Sequence, residues 1–166
     1  MKNLIFTFLT LLLATPIFSQ DLPLNSETGK ITYEGVVEID GVSKADLYSK
    51  ALEWFALRYN SANDVIQLKD EDSGKVIGKG LFKINYYTRE PSIYHTISIY
   101  TKDGRYKYII TDLNYRDRQN DAFNLENFPK GWAGKKKLYT TVDDEIKLTI
   151  ADLEKHMNKK NDDDNW

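Results

Sequence analysis

Apolar and polar side chains alternate over residues 31–40, which is the pattern of a strand with one buried face. The predicted buried face carries Ile31, Tyr33, Val37 and Ile39. Ser43 then marks the start of a helix, and Asp46 three residues later approximates a capping box. Apolar residues recur at helical spacing as far as Tyr59, so we expect this helix to end near Asn60.

A first hairpin is predicted directly after the helix. It joins residues 65–71 to residues 75–84 through a three-residue loop in which Gly74 takes a positive φ. In this register Leu68 shares the buried face of the sheet with Val76, and the charged side chains stay on the other face.

A second hairpin is predicted from residues 93–101 and 105–112, joined by a type I′ turn at Asp103 and Gly104. Its register separates an apolar face from a mixed face. The apolar face consists of Ile93, Ile97, Ile99, Tyr106, Tyr108 and Ile110.

The last third of the chain is less regular in its pattern. Residues 113–139 are polar over a long stretch and predict an irregular loop. Thr141 is expected to cap a final helix, whose first turn is acidic and whose last turn is basic, as the helix dipole favours. Its apolar stripe consists of Ile146, Ile150, Leu153 and Met157. Residues 161–166 are expected to form an acidic, flexible tail.

The predicted order is therefore strand, helix, four strands, helix. Two amphipathic helices and a sheet with one apolar face indicate an α+β fold, a two-layer sandwich with an antiparallel sheet and both helices on one face. We expect residues 20–160 to form this single domain.

The first 19 residues have the charged, apolar and small-residue order of a signal peptide, with cleavage expected between Ser19 and Gln20. The alternative is a membrane anchor, but the apolar run from Leu4 to Ala14 is shorter than the ~20 residues that span a bilayer. The chain has no cysteine, which excludes disulfides and a lipid-anchoring cysteine. We expect an exported protein, periplasmic or extracellular, that is not a lipoprotein and has no membrane span after processing.

The net charge and the glycine pattern argue against two classes of function, nucleic-acid binding and dinucleotide binding. The formal net charge of −2 disfavours general binding to nucleic acids, which needs a clearly basic surface. Gly78 and Gly80 do not open a dinucleotide-binding loop, because no third glycine and no helix follow them. We expect no cofactor and no metal ion.

The VIGKGLFKI segment, the TDL segment at the end of the last hairpin and the order of elements resemble the family called domain of unknown function 4468. The resemblance covers residues 22–160. It implies a TBP-like fold and the exported setting common to this family in Bacteroidota. It implies no activity and no functional residues, and the reference to TBP describes the fold alone, with no binding to DNA.

One polar pair is a candidate for chemistry. The predicted register places His95 opposite Asp112 on the helix-facing side of the sheet. A histidine oriented by a carboxylate is the beginning of a general base, which would suit a hydrolase. The alternative is a hydrogen-bonded polar pair at the rim of the core, and no nucleophile is placed beside it.

The open face of the sheet is a second candidate. The registers place aromatic and basic side chains there, including Tyr94, Tyr100, Lys69, Lys79, Arg105 and Lys107. Aromatic rings among cations suit a glycan, an anionic polymer or a protein partner, although an ordinary solvated face is the alternative. Trp132 with the run Lys135, Lys136 and Lys137 is a weaker second patch.

These observations favour a non-catalytic, exported module of the cell envelope that binds a protein or glycan through the open face or the 113–139 loop. One alternative is a carrier that holds an apolar ligand between helices and sheet, where Gly78 and Gly80 would either widen a cavity or equally allow tight packing. A void of about 300 Å³ or more would favour the carrier. The other alternative is the hydrolase that uses His95 and Asp112.

Overall fold

The structure, a computed structural model, describes residues 22–59, 61–119, 121–129 and 131–159. The predicted signal peptide and acidic tail therefore lie outside the described residues. The elements in chain order are β1 (Tyr33–Glu38), α1 (Lys44–Arg58), α2 (Ala62–Val65), β2 (Ile66–Asp70), β3 (Lys75–Lys83), β4 (Ser92–Lys102), β5 (Arg105–Arg116), β6 (Ala122–Asn124), a 3₁₀ turn (Leu125–Asn127) and α3 (Lys135–Met157).

The strands form one antiparallel sheet in the order β1-β5-β4-β3-β2, and β6 extends the β1 edge by pairing with the end of β5. Both long helices contribute to a single core on one face of this sheet. The α+β two-layer fold predicted from the sequence is confirmed. The short α2 and β6 are additions to it.

Helix α1 begins and ends where the sequence predicts. The Ser43 hydroxyl accepts the Asp46 backbone N–H at 3.1 Å, and the Tyr59 N–H closes the last turn on the carbonyl of Phe55. The helix lies close to β3 because Gly78 has no side chain: a Cβ there would stand 2.4 Å from the Phe55 ring. The Phe55 ring therefore fills the space over this strand.

Helix α3 begins at Lys135, so the expected start at Thr141 is wrong. Gly134 precedes the helix at φ 98° and offers no side-chain cap. The first turn contains three lysines, which oppose the helix dipole, so the sequence pattern does not indicate a helix start there. The helix nevertheless begins at Lys135 because burial stabilises its first turns. Leu138 and Val142 are fully buried and extend the apolar stripe towards the amino terminus.

Residues 113–139 are also more ordered than predicted. They contain the end of β5, β6 and the 3₁₀ turn. The Trp132 ring lies 5.4 to 5.9 Å, between centroids, from the rings of Tyr115, Phe123 and Phe128. Trp132 is half-buried and belongs to an aromatic cluster that packs against the core, and the weaker patch that it was expected to form with the lysine run stays a prediction.

The β2–β3 hairpin differs from its predicted register by one residue. Asp70 pairs with Lys75, so the loop has four residues, and the Asp70 carboxylate accepts the Ser73 N–H at 3.0 Å. Gly74 has the predicted positive φ, at 64°. The shift places Leu68 on the open face, opposite Ile77, where it is 40% exposed.

The β4–β5 hairpin has its predicted register near the turn, where Ile97 faces Ile110 and Lys102 faces Arg105. Gly104 has a φ of 73°, but Asp103 is not among the described residues with positive φ. A type I′ turn needs positive φ at both central positions, so that turn type is wrong.

Candidate functional site

A β-bulge separates His95 from Asp112. The β4–β5 ladder runs regularly to Thr96 opposite Thr111 and resumes at Tyr94 opposite Asn114. Asp112 is the extra residue and takes a left-handed φ of 57°, which aspartate tolerates better than most residues. The predicted pairing of His95 with Asp112 is therefore wrong.

His95 is a buried core residue. Its side chain is 4% exposed, and its Nε2 lies 3.0 Å from the Tyr59 hydroxyl. The Nδ1 faces the Ile93 carbonyl at 3.4 Å, and because a carbonyl only accepts, we assign the ring proton to Nδ1. The Tyr59 hydroxyl then donates to Nε2.

Electrostatics agree with this assignment. Burial lowers the pKa of His95 to about 4, and the nearby positive charge of Arg58 acts in the same direction. Burial also raises the pKa of Tyr59 to about 12, so its hydroxyl keeps its proton. The pair is neutral at neutral pH. A carboxylate neighbour such as the predicted Asp112 would instead have raised the pKa of His95.

Asp112 lies on the other side of the sheet, where the Lys30 Nζ donates to its carboxylate at 2.6 Å. The hydrogen bond from Lys30 lowers the pKa of Asp112. One signal in the sequence could have revealed the bulge. Apolar residues alternate up to Ile110 and then change phase by one position at Leu113 and Tyr115, which are both fully buried.

The face of the sheet opposite the helices, hereafter the open face, is organised in rows across the strands. The pairings align Val36, Lys107, Tyr100 and Lys75 in one such row. The next row is largely apolar and consists of Glu34, Ile109, Ser98, Ile77 and Leu68.

Cations exceed carboxylates on the paired positions of this open face. Seven lysines and arginines lie there, namely Lys75, Lys79, Lys83, Lys102, Arg105, Lys107 and Arg116. Three carboxylates accompany them at paired positions, on Glu34, Glu38 and Asp70, and Asp112 at the bulge adds a fourth, which is paired with Lys30. Since the whole chain has a net charge of −2, positive charge is concentrated on this surface.

The predicted surface residues Tyr94, Tyr100, Lys79, Arg105 and Lys107 all lie on the open face.

Lys69 does not join them, because it pairs with Val76, whose side chain is on the helix side. Sequence reasoning missed Lys102, although extending the alternation of β4 would have included it, and it missed Arg116, which reaches the open face only because the bulge changes the phase of β5.

A shallow pocket of about 350 Å³ lies at one end of the open face. Val36, Tyr100, Lys102, Arg105 and Lys107 line it together with Tyr106. Val36 lies on the edge strand β1 and is 58% exposed.

The two tyrosines of the open face each have a cation over the ring. The Lys75 Nζ lies 5.3 Å from the Tyr100 ring centroid, and the Arg116 guanidinium lies 4.7 Å from that of Tyr94. Lys107 also pairs with Glu34 at 2.8 Å. These contacts fix the rings and part of the charge in place.

In the described part of the chain, no group of three or more histidine, aspartate or glutamate side chains is arranged to hold a metal ion. None of the described helices has the length and apolar character needed to cross a membrane.

Comparisons with known proteins find solved structures with a similar architecture. The chain is similar in structure to a TBP-like protein from Parabacteroides distasonis, with a TM-score of 0.72 and 16% identity over 81% of this chain and 96% of that one. It is also similar to a DUF4468 family protein from Bacteroides ovatus, with a TM-score of 0.68 and 16% identity over 84% and 92% of the two chains. These likenesses define the class as a TBP-like α+β fold.

A family model described as "Domain of unknown function (DUF4468) with TBP-like fold" matches residues 33–116. The chain belongs to this family. No curated protein matches the chain. The matched residues include β1 to β5 and hence most of the open face.

Proposed function

We propose that the chain is an exported, non-catalytic module of the cell envelope that binds an anionic protein or glycan through its open face. The observation that supports this proposal is the uneven distribution of charge over the molecule. Cations collect on the one sheet face that the helices leave uncovered, although the whole chain is slightly acidic. Apolar side chains among these cations, such as Leu81 at 42% exposure, supply contact area as well as charge.

The geometry does not favour the two alternative functions, the hydrolase and the carrier. A hydrolase built on His95 lacks the orienting carboxylate, since Asp112 pairs with Lys30 on the opposite side of the sheet. A carrier would need space between helices and sheet, but the rings of Phe55 and Tyr59 occupy the positions over Gly78 and Gly80. Close packing rather than a cavity is the role of these glycines.

Export is tested by the intact mass of the processed protein. A chain that begins at Gln20 supports export, and retention of residues 1–19 contradicts it. This measurement is independent of any binding partner.

Binding is tested by photo-crosslinking with the processed protein added to cell envelopes of the producing organism. A benzophenone amino acid replaces Leu81 on the open face or, as the matched control, Leu148 on α3, which is 63% exposed. We expect one adduct of defined mass from position 81 and none from position 148. The adduct should decrease as salt is raised, because exposed charges are screened.

Equal adducts from both positions, or an adduct that is insensitive to salt, would contradict binding through the open face.

A further inference from the structure

A polar pocket of about 390 Å³ lies between two loops at the end of the sheet away from the β4–β5 turn. One wall comes from the loop that joins β3 to β4 and includes Asn85, Tyr87 and Thr88. The other wall comes from residues 117–119, which follow β5. The volume falls within the range of about 300–1,000 Å³ that is usual for small-molecule sites.

An ion pair with a buried carboxylate joins the two walls. The Asp117 side chain is 3% exposed and accepts a hydrogen bond from the Arg89 Nη1 at 2.8 Å. It also accepts the backbone N–H groups of Gln119, at 2.9 Å, and Asp121, at 3.0 Å. These bonds fix the two loops relative to each other, so the walls of the pocket are preorganised.

Tyr87 is the aromatic residue of this pocket and is 64% exposed. It takes the first central position of a two-residue turn, in which Tyr86 and Arg89 exchange backbone hydrogen bonds at 3.0 Å. Its φ of 54° is a left-handed value that glycine or asparagine adopts far more readily than a bulky residue. The Lys137 Nζ lies 4.2 Å from the ring centroid and helps to hold the ring in place. The strained backbone thus presents the ring to solvent, and strain of this kind is found mainly at functional sites.

Polar groups without partners share the pocket with this ring. The side chains of Asn85, Thr88 and Gln119 line it and make no hydrogen bond to other described residues. Two amides and a hydroxyl offer both donors and acceptors. The pocket can therefore form several neutral hydrogen bonds with a ligand.

The charges that line the pocket balance one another. Arg89 and Arg118 are positive, and Asp117 and Glu90 are negative. An anionic ligand would gain no net attraction here, in contrast to the open face, and an apolar ligand would leave the polar groups unpaired. A neutral sugar fits both features, because its hydroxyls pair with the polar groups and the C–H groups of its ring pack against an aromatic face.

We propose that this pocket binds a neutral sugar residue of a glycan. Tyr87 packs against the sugar ring, and the side chains of Asn85, Thr88 and Gln119 form hydrogen bonds with its hydroxyls. The site is separate from the proposed binding surface, since its residues belong to loops and not to the open face.

The test is an NMR titration of the processed protein with neutral monosaccharides, added one at a time: glucose, galactose, mannose, fucose and N-acetylglucosamine. We expect at least one of them to shift the amide signals of Tyr87, Thr88 and Gln119 in a saturable manner. The signals of Gly104 and Arg105, at the other end of the sheet, should not move. Glucuronate, added in the same way, is the anionic control and should bind no better than the neutral sugars.

Two variants test the ring. Tyr87→Gly removes the ring and suits the φ of 54°, so the fold should be retained in thermal unfolding while sugar binding weakens by about tenfold. Tyr87→Phe keeps the ring and should bind as the parent chain does.

The absence of saturable shifts at the pocket with every neutral sugar would overturn the proposal, as would shifts produced by glucuronate alone. Undiminished binding by a folded Tyr87→Gly chain, or equal losses in both variants, would contradict the role of the ring. The titration contains no cell envelopes, so its failure leaves the crosslinking result on the open face unaffected.

Discussion

The two faces of the sheet are made by the same strands and obey different constraints. On the helix side, alternate residues such as Ile97, Ile99 and Ile110 are fully buried, and α1 lies directly on Gly78. On the open face, lysines, arginines and tyrosines alternate with a largely apolar row, and Val36 and Leu81 are exposed among them. Packing explains the first face completely. The second face has no packing role that requires its composition, so it is the place to look for function.

The largest effect should come from deleting a side chain on the helix side. Leu153 is 1% exposed in the core, so Leu153→Ala should lower the free energy of unfolding by ~2–5 kcal/mol. Leu148→Ala on the same helix is the control and should change it by no more than ~0.5 kcal/mol. Urea unfolding of both variants measures this, and equal losses would show that α3 does not dock as described.

The buried His95 should make stability depend on pH. Its pKa falls from 6.5 to about 4 on folding, so the unfolded chain binds a proton first and stability is lost as the pH falls from 6.5 towards 4. This difference corresponds to a loss on the order of 3 kcal/mol. Urea unfolding at neutral and acidic pH should show a smaller pH dependence for His95→Gln than for the parent chain. The same dependence in both would mean that His95 is not buried in its neutral form.

Gly78 and Lys79 are neighbours in β3 that face opposite sides of the sheet, so substitutions there compare the two faces directly. Gly78→Ala places a Cβ against Phe55 and should cost ~1–3 kcal/mol through overpacking. Lys79→Ala, one residue later on the open face, should stay within ~0.5 kcal/mol. Thermal unfolding of the two variants should show a lower stability for Gly78→Ala than for Lys79→Ala. Similar stabilities would argue against close packing of α1 on β3.

The smallest effect concerns the bulge. Asp112→Asn weakens an exposed ion pair with Lys30 and should cost at most ~1 kcal/mol. Because the bulge directs Asp112 away from His95, the NMR titration of the His95 ring should keep its midpoint. A shifted midpoint would restore the direct contact that the structure excludes.

The sequence predicts the helix-side face well because burial imposes a strict period on it. The alternation through Ile97 and Ile110 and the helical stripe through Leu153 both identify core residues correctly. The bulge at Asp112 and the start of α3 at Lys135 were not predicted, since each depends on tertiary burial that outweighs a local preference. The residues of the open face were mostly located, yet their role stays a prediction, because solvent-facing positions are under no comparable packing constraint.

The most direct test of the account neutralises the open face without touching the core. The variant Lys79→Gln/Arg105→Gln/Lys107→Gln carries the benzophenone at position 81, and its crosslinking to cell envelopes is compared with that of the parent chain. We predict that each substitution costs no more than ~0.5 kcal/mol of stability. The adduct from position 81 should nevertheless disappear. A stable variant that forms the adduct in undiminished yield would contradict binding through the charge of the open face.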